Sequence, residues 1–592
     1  MQKLNEIIKS LDGRPVSSYS KLKGTYERNG VTYVISSVTG GQYRCASVDI
    51  KFDRSGFIDD EALDDDSQIA VCSHILTEFS VSAYMANNET QQSESNIQKG
   101  VFIPYCFGTR VLPSSAAKIS ERDITVRLDI RLPYNNTAYN NGVRATEFTK
   151  AESGSVLAMT KSAQRESLGK RKNGVISSKA LKLLLTKNLP SLAESFEKSF
   201  DKERLKRAIQ LYKNQQYIRE FLKKQGYVSF IADGSVITRK GKTDYKDING
   251  SIPFVSPESL RLIIKLPDGD FICGMGIKKG ITLITGDAYH GKSTVLEAIR
   301  EGVYNHIEGD GREYVITDKS AVAVHSEDGR SIRNTDISFF LSNLPTDKIN
   351  PKSFSTDNAS GSTSQASAVI EAMESGSSLM LFDEDRCANN FMYKDEKMRS
   401  VIKNASTVPF IDNACMFYNQ FGISSVIVIG ASGEYFRIAD TVLLVDKYVL
   451  YDYSDFTKEN KESSSFCPKP RLVDISELRE YCIRRNMEIK DGSVFRIGPD
   501  EIKTDEIIPH LTRGQLDFIC SFIYFLAVME CNAKCELKTA IDRLYSKIHT
   551  QGVDFIHQSR LNGSTEIIEY VRPEDIMAIL FRMRSVKFTD KR

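Results

Sequence analysis

ITLITGDAYHGKST, residues 281 to 294, is where the reading of this chain begins. A β-branched run enters Gly286, four variable residues follow, and then come Gly291, Lys292 and Ser293, the spacing of a P-loop. Glycines let such a loop curl its N–H groups inward, so that amide dipoles and a helix N-terminus converge on a β-phosphate. Lys292 would reach the β- and γ-phosphates, and the Ser293 hydroxyl would ligate Mg²⁺. Asp287, Ala288, Tyr289, His290 and Thr294 complete the loop around the nucleotide, with His290 at a variable position that usually faces solvent. Ile281 to Ile284 read as a buried strand, and Val295, Leu296 and Ile299 as the inner face of the following helix.

About a hundred residues on, SSLMLFDED at 377 to 385 supplies four apolar residues ending in Asp383 and Glu384. A buried central strand of this kind delivers acids to a metal at its carboxyl end. Asp383 would hold Mg²⁺ through water, and Glu384 would orient or deprotonate the attacking water. The plainer alternative is a strand followed by a helix-capping acidic turn. Between the two motifs, NASGSTSQASAVIEAMESG at 358 to 376 places Ser360, Gly361 and Ser362 before a helix whose Ala366, Val369, Ile370 and Met373 share one face. Free amides and hydroxyls at a helix start suit a phosphate, although the stretch read alone is an N-cap and a flexible loop.

With 592 residues, 41% of them apolar, the chain can bury ample core and should hold roughly three to four domains. The formal charge is only +2, yet residues 161 to 225 carry 17 Lys and Arg against 6 Asp and Glu, leaving the rest near −9. Such asymmetry suits a basic face for a polyanion, or simply well-solvated lysine-rich helices. Tyr212 and Tyr217, interleaved with Lys213 and Arg219, could stack on unpaired bases; each tyrosine is equally readable as core. MQKLNEIIKSLDGR at 1 to 14 reads as a short amphipathic helix without the apolar core a secretory signal requires, and the apolar run at 516 to 529 is too short to span a bilayer, so a soluble, cytoplasmic protein with no membrane partner is expected. Eleven scattered cysteines, with Cys531 and Cys535 the one close pair, complete no zinc set and read as reduced thiols.

The expected fold class is α/β in three parts. Residues 1–245 are expected to form an α+β accessory domain, basic and suited to nucleic-acid binding; 246–465 the nucleotide-binding core of alternating strands and helices; 466–592 a mainly helical domain. A hinge is expected at 241 to 253.

The segments GMGIKKGITLITGDAYHGKSTVLEAIREGVYNHIEGDGREYVITD, TDISFFLSNLP, STDNASGSTSQAS, LMLFDEDRCANNFM and VIVIGASGEYFRIADTVLLV resemble consecutive landmarks of the family of predicted ATPases of the ABC class. The resemblance is strong over 246 to 450 and weaker on both sides. It implies an ABC-type core working as an ATP-dependent homodimer, with ATP and Mg²⁺, and with RNA as the favoured partner. By position, Gly286, Gly291, Lys292, Ser293 and Thr294 would cradle phosphate. Ser360, Gly361 and Gln365 would form the signature segment facing the opposing subunit's phosphate, with Asp383 the magnesium carboxylate and Glu384 the catalytic one. Asn389 would lie where ABC proteins couple their two sites.

Departures from the wider ABC pattern also carry expectations. Ala431 and Ser432 stand where a γ-phosphate histidine is usual, so turnover should be slow. The upstream adenine-stacking aromatic is not evident in RLIIKLPDGD, and the glutamine loop has three candidates, Glu327, Asp328 and the TDISFF segment. Two rival functions remain: a nucleic-acid-binding module with vestigial hydrolysis, and a P-loop kinase, which would need an arginine-rich lid not visible here.

Overall fold

The computed structural model describes residues 1–592 apart from 39–44, 60–62, 91–96, 99, 106–107, 137–173, 240–250, 343–348, 403–404, 431, 455–464, 485–486, 490–493, 530–534, 559–566 and 591–592. Within the basic span 161 to 225, residues 161 to 173 with the run KRK at 170 to 172 lie outside the described residues, as do most of the expected hinge, Ala431 and Cys531. The chain folds as two compact units: Met1–Ile209 with Gly563–Ile567, and Gln210–Asn562 with Ile568–Arg592.

The first unit is built on an antiparallel sheet in the order Gly24–Arg28, Val31–Val38, Cys45–Asp53, Asp123–Arg131, Val101–Pro104, with Ala117–Ile119 also paired to Asp123–Arg131. Period-two alternation fixes which face is inside: Ala46, Val48, Ile50 and Phe52 are buried on one strand, and Ile124, Val126, Leu128 and Ile130 on its neighbour. The first hairpin turns through Asn29 and Gly30, both at positive φ, as a two-residue turn compatible with strand twist requires. One helix here, Asp65–Thr90, contains a stretch long and apolar enough to cross a membrane, with 44% of that stretch buried inside the protein. Its Val71, Ile75, Leu76, Phe79 and Ala83 belong to the core of this unit.

The second unit holds a six-stranded sheet. In chain order its parts are β1 (Ile281–Thr285), α1 (Lys292–Glu301), β2 (Val322–Ala323), α2 (Gly361–Glu374), β3 (Leu379–Asp383), α3 (Phe410–Phe421), β4 (Ser424–Ile429), β5 (Thr441–Asp446) and β6 (Val449–Asp452). The strands lie in the order β2-β3-β4-β1-β5-β6, all parallel except β6. Parallel strands covered on both faces read as continuous apolar runs, and β4 is buried along its whole length. Helix α1 buries Val295, Leu296, Ala298 and Ile299 as its periodicity predicts, and α2 buries Ala366, Val369 and Ile370. An antiparallel sheet of Arg261–Lys265, Phe271–Lys278, Tyr227–Ala232 and Val315–Thr317 lies in the same unit. So does the C-terminal tail, whose long helix α4 (Arg513–Met529), α5 (Leu537–Gln551) and α6 (Pro573–Phe581) share their own apolar core. The run at 516 to 529 is thus a buried core helix.

Candidate nucleotide site

Parallel strands align their carboxyl ends, so the loops after β1, β3, β4 and β5 meet on one edge of the sheet. The loop after β1 is shaped by what glycine alone permits. At Gly286, φ is +146° and a Cβ would lie 2.3 Å from the Val445 carbonyl oxygen; at Gly291, φ is +101° and a Cβ would lie 2.5 Å from the Tyr448 ring. The turn joining β5 to β6 braces this loop. The Tyr448 amide donates to the His290 carbonyl (3.0 Å), and His290 Nδ1 lies 3.0 Å from the Asp446 carboxylate. His290 therefore faces that turn. Lys447 and Tyr448 both hold positive φ, as does the nearly fully exposed Tyr289, a strained conformation of the kind kept at functional sites.

Lys292 folds back to donate to the carbonyls of Gly286 (2.9 Å) and Asp287 (2.8 Å), across the mouth of the loop. Ser293, in the first turn of α1, lies close enough to Asp383 at the end of β3 for its hydroxyl to favour the charged carboxylate, so the two expected magnesium ligands are brought together. Burial raises the Asp383 pKa above the usual carboxylate range, with the Ser293 hydroxyl and the Asp385 amide offsetting part of the rise. Glu384 Oε2 accepts from the Gly430 amide at 2.6 Å. Gly430 follows β4 and is flanked by Lys292 and Glu384: a Cβ there would stand 3.5 Å from Lys292 Nζ and 3.8 Å from Glu384 Oε2. This amide was not among the residues expected from sequence; its signal is only the glycine closing VIVIG. The inward glycines, the folded lysine and the hydroxyl–carboxylate pair fit a triphosphate with a hard divalent cation.

Ser360 occupies the N-cap of α2, but its hydroxyl pairs with Thr363 Oγ (2.9 Å) rather than capping a backbone amide. Gly361 is the first residue of the helix, where a Cβ would lie 3.1 Å from the Asp328 carboxylate. Ser362 is half-buried beside it. Gln365 departs from the expectation that it faces nucleotide. It is fully buried, its Oε1 accepting from the Ala388 amide (2.8 Å) and its Nε2 lying 3.4 Å from Met392 sulfur. It ties α2 to the segment around Asn389 after the acidic strand, and it does so because a buried amide must spend its hydrogen bonds inside.

With this geometry in place, two family models match the chain: one described as the P-loop domain of ABC ATPases, over residues 201–473, and one described as the N-terminal part of ATPases of the ABC class, over residues 1–151. The chain belongs to the ABC-class ATPases. An uncharacterized protein of Methanocaldococcus jannaschii, MJ1628, is 36% identical over 232 residues, which is 37% of this chain and 50% of that protein. The chain thus spans about half the length of this curated relative. Among solved structures, the ADP conformation of MJ1267, an ATP-binding cassette of an ABC transporter, matches 38% of this chain and 89% of its own at 11% identity and a TM-score of 0.23.

Seen as an ABC-class ATPase, the chain places its glutamine-loop candidates unequally. Thr335 and Ile337 of TDISFF are buried, as is Phe340. Ser326 to Asp328 instead meet α2 and the acidic segment: Glu327 N–H donates to Ser364 Oγ (2.8 Å) and Ser326 N–H to the Arg386 carbonyl (2.9 Å). Burial would raise the Glu327 pKa, but the charges of Arg582 and Arg330 outweigh it and hold the carboxyl below its usual range. Ser432, near the missing histidine, accepts from the Glu434 amide (3.2 Å). On the helix Lys202–Gln225, Tyr212 and Arg219 are buried, Arg219 donating to the Gly302 carbonyl and Asn305, so both are structural; Lys213 and Tyr217 are exposed.

Proposed function

We propose that this ABC-class ATPase binds ATP with Mg²⁺, hydrolyses it slowly at two composite sites of a homodimer, and couples the cycle to movement of its flanking domains, with RNA as the favoured partner. The observation that carries the reading is the convergence at one sheet edge of Lys292, the Ser293–Asp383 pair and Glu384 beside Gly430. In this reading the Gly286–Thr294 loop, with Asp287, Ala288, Tyr289 and His290, cradles the phosphates. Ser293 and Asp383 would hold the cation, which when bound would supply positive charge to offset that developing on the transferred phosphoryl group. Glu384, aimed by the Gly430 amide, orients the attacking water, and Lys292 swings from the loop carbonyls to the γ-phosphate. Ser360, Gly361 and Ser362 serve the partner's nucleotide, while Gln365 sets the position of their helix. Without a histidine at 431 or 432, one positive charge is missing from the transition-state shell, which supports slow turnover. The division into 1–245, 246–465 and 466–592, and a cytoplasmic location free of membrane, belong to the same proposal.

Glu384→Gln keeps a neutral side chain of the same shape but removes the water-activating carboxylate. The variant should bind ATP as tightly as the parent, lose at least about a hundredfold in turnover, and run as a long-lived dimer of twice the chain mass in ATP. Normal turnover in the variant would refute the role of Glu384, and an ATP-loaded monomer would refute the composite site.

A further inference from the structure

A second group of metal-competent side chains lies in the same unit and includes none of Lys292, Ser293, Asp383 and Glu384, although its Glu327 is also a glutamine-loop candidate. His325 and Glu327 follow β2; Glu506 belongs to the tail, in the segment before α4. One ligand atom from each falls within 4.8 Å of the other two. Around a single ion with bonds of about 2.0–2.2 Å, ligand atoms stand roughly 3 to 4.4 Å apart, so a small rotation of one side chain closes the set. Both ring nitrogens of His325 are buried without a hydrogen-bond partner. That is a rare condition for a buried polar group and one that an ion and a bound water would relieve.

His325 and Glu506 line a cavity of about 50 Å³, enough for an ion and a few waters. Its wall carries three arginines and five acidic residues, and one of those acids, Glu371, is paired with Arg330. The arginines have their own partners: Arg572 pairs with Asp575, Arg582 with Glu327, and Arg300 donates to the carbonyls of Glu506 and Ile507. Glu327 spends Oε2 on Arg582 (2.8 Å), and a carboxylate retains a second oxygen for a metal.

We propose that His325, Glu327 and Glu506 form a binding site for a divalent transition-metal cation, with Zn²⁺ the ion best matched to one imidazole and two carboxylates. The site is open, since three protein ligands leave a fourth position to water. Its consequence is mechanical. Glu506 lies in the tail, whereas the amide of Glu327 is bonded to Ser364 on the signature helix, so the ion ties the tail to the segment that touches α2.

The test uses the full chain stripped with chelator and titrated with Zn²⁺ by calorimetry, alongside His325→Gln, Glu506→Gln and, to silence the phosphate site, Asp383→Asn. One equivalent should bind the parent and Asp383→Asn alike, and each of the other two variants should bind at least about tenfold more weakly. Co²⁺ provides a readout independent of stability: its visible bands in the parent should be lost or shifted in His325→Gln. No binding by the parent below about 100 μM, or unchanged binding in both ligand variants, would show an ion-paired cluster with no metal role. Loss of the tight equivalent in Asp383→Asn alone would assign the metal to the phosphate site and overturn the proposal.

Discussion

At the scale of single residues, the phosphate site shows a conflict between function and stability. Asp383 must be ionised to hold a cation, yet burial makes ionisation costly, and its pKa is raised in the nucleotide-free protein. A carboxyl whose pKa is higher folded than unfolded favours the folded state when protonated, and that contribution is lost as pH rises through the folded value. The same proton removes the metal ligand. Mg²⁺-dependent nucleotide affinity should therefore fall on acidification at a pH above the ordinary aspartate value of about 3.9. Asp383→Asn should abolish the Mg²⁺ dependence while leaving the nucleotide-free protein as stable as the parent or more so, which paired nucleotide titrations and thermal melts will read. His325 behaves differently: burial, then Arg582, Arg386 and Arg300, push it down to about 3, so its ring is neutral throughout the range in which the protein is studied.

At the scale of elements, helix α2 has Ser360 at its N-cap, Gly361 and Ser362 in its first turn, which the proposed composite site uses, and Glu374 in its last turn. That carboxyl is gripped by Arg471 from two nitrogens (2.9 and 2.6 Å), while the guanidinium packs 4.3 Å over the Phe588 ring. Burial raises the Glu374 pKa more than Arg471 lowers it. Arg471→Ala would leave this half-buried acid without its cation, at a cost of about 1–3 kcal/mol in denaturant unfolding. The deficit should shrink as pH falls, because burial makes the orphaned acid take up its proton above the ordinary glutamate range. A loss that does not vary with pH would mean that packing on Phe588, not the charge, is what Arg471 contributes.

At the scale of the whole molecule, the local excess of positive charge suggested by the sequence is narrowed by folding. Arg219, counted in that excess, is buried, and Tyr212 is core, while Arg204, Lys206, Arg207, Lys213, Lys223 and Lys224 of Lys202–Gln225 stay exposed, with Tyr217 one helical turn beyond Lys213. If RNA is engaged there, Tyr217→Ala should cost about 1–3 kcal/mol by loss of stacking. Lys213→Ala should reduce the salt slope of binding by about one, whatever the RNA sequence. Both are read by titrating a fluorescent oligonucleotide at several salt concentrations. Unaltered affinity in the double variant would move the RNA surface elsewhere or remove it.

Sequence by itself determined what depends on local spacing. The glycines of 286 and 291, the lysine and serine after them, the apolar strand ending in Asp383 and the inner faces of α1 and α2 follow from backbone sterics and helical or strand periodicity. Those constraints act within a few residues. Only the tertiary structure decided which distant groups meet: Glu384 with the Gly430 amide, the Tyr448 turn with the loop at Gly291, Gln365 with Ala388, and Glu506 with His325 and Glu327. Strand order and helix packing choose these pairs, and no periodicity in a linear chain records which buried amide or carboxylate will face which partner.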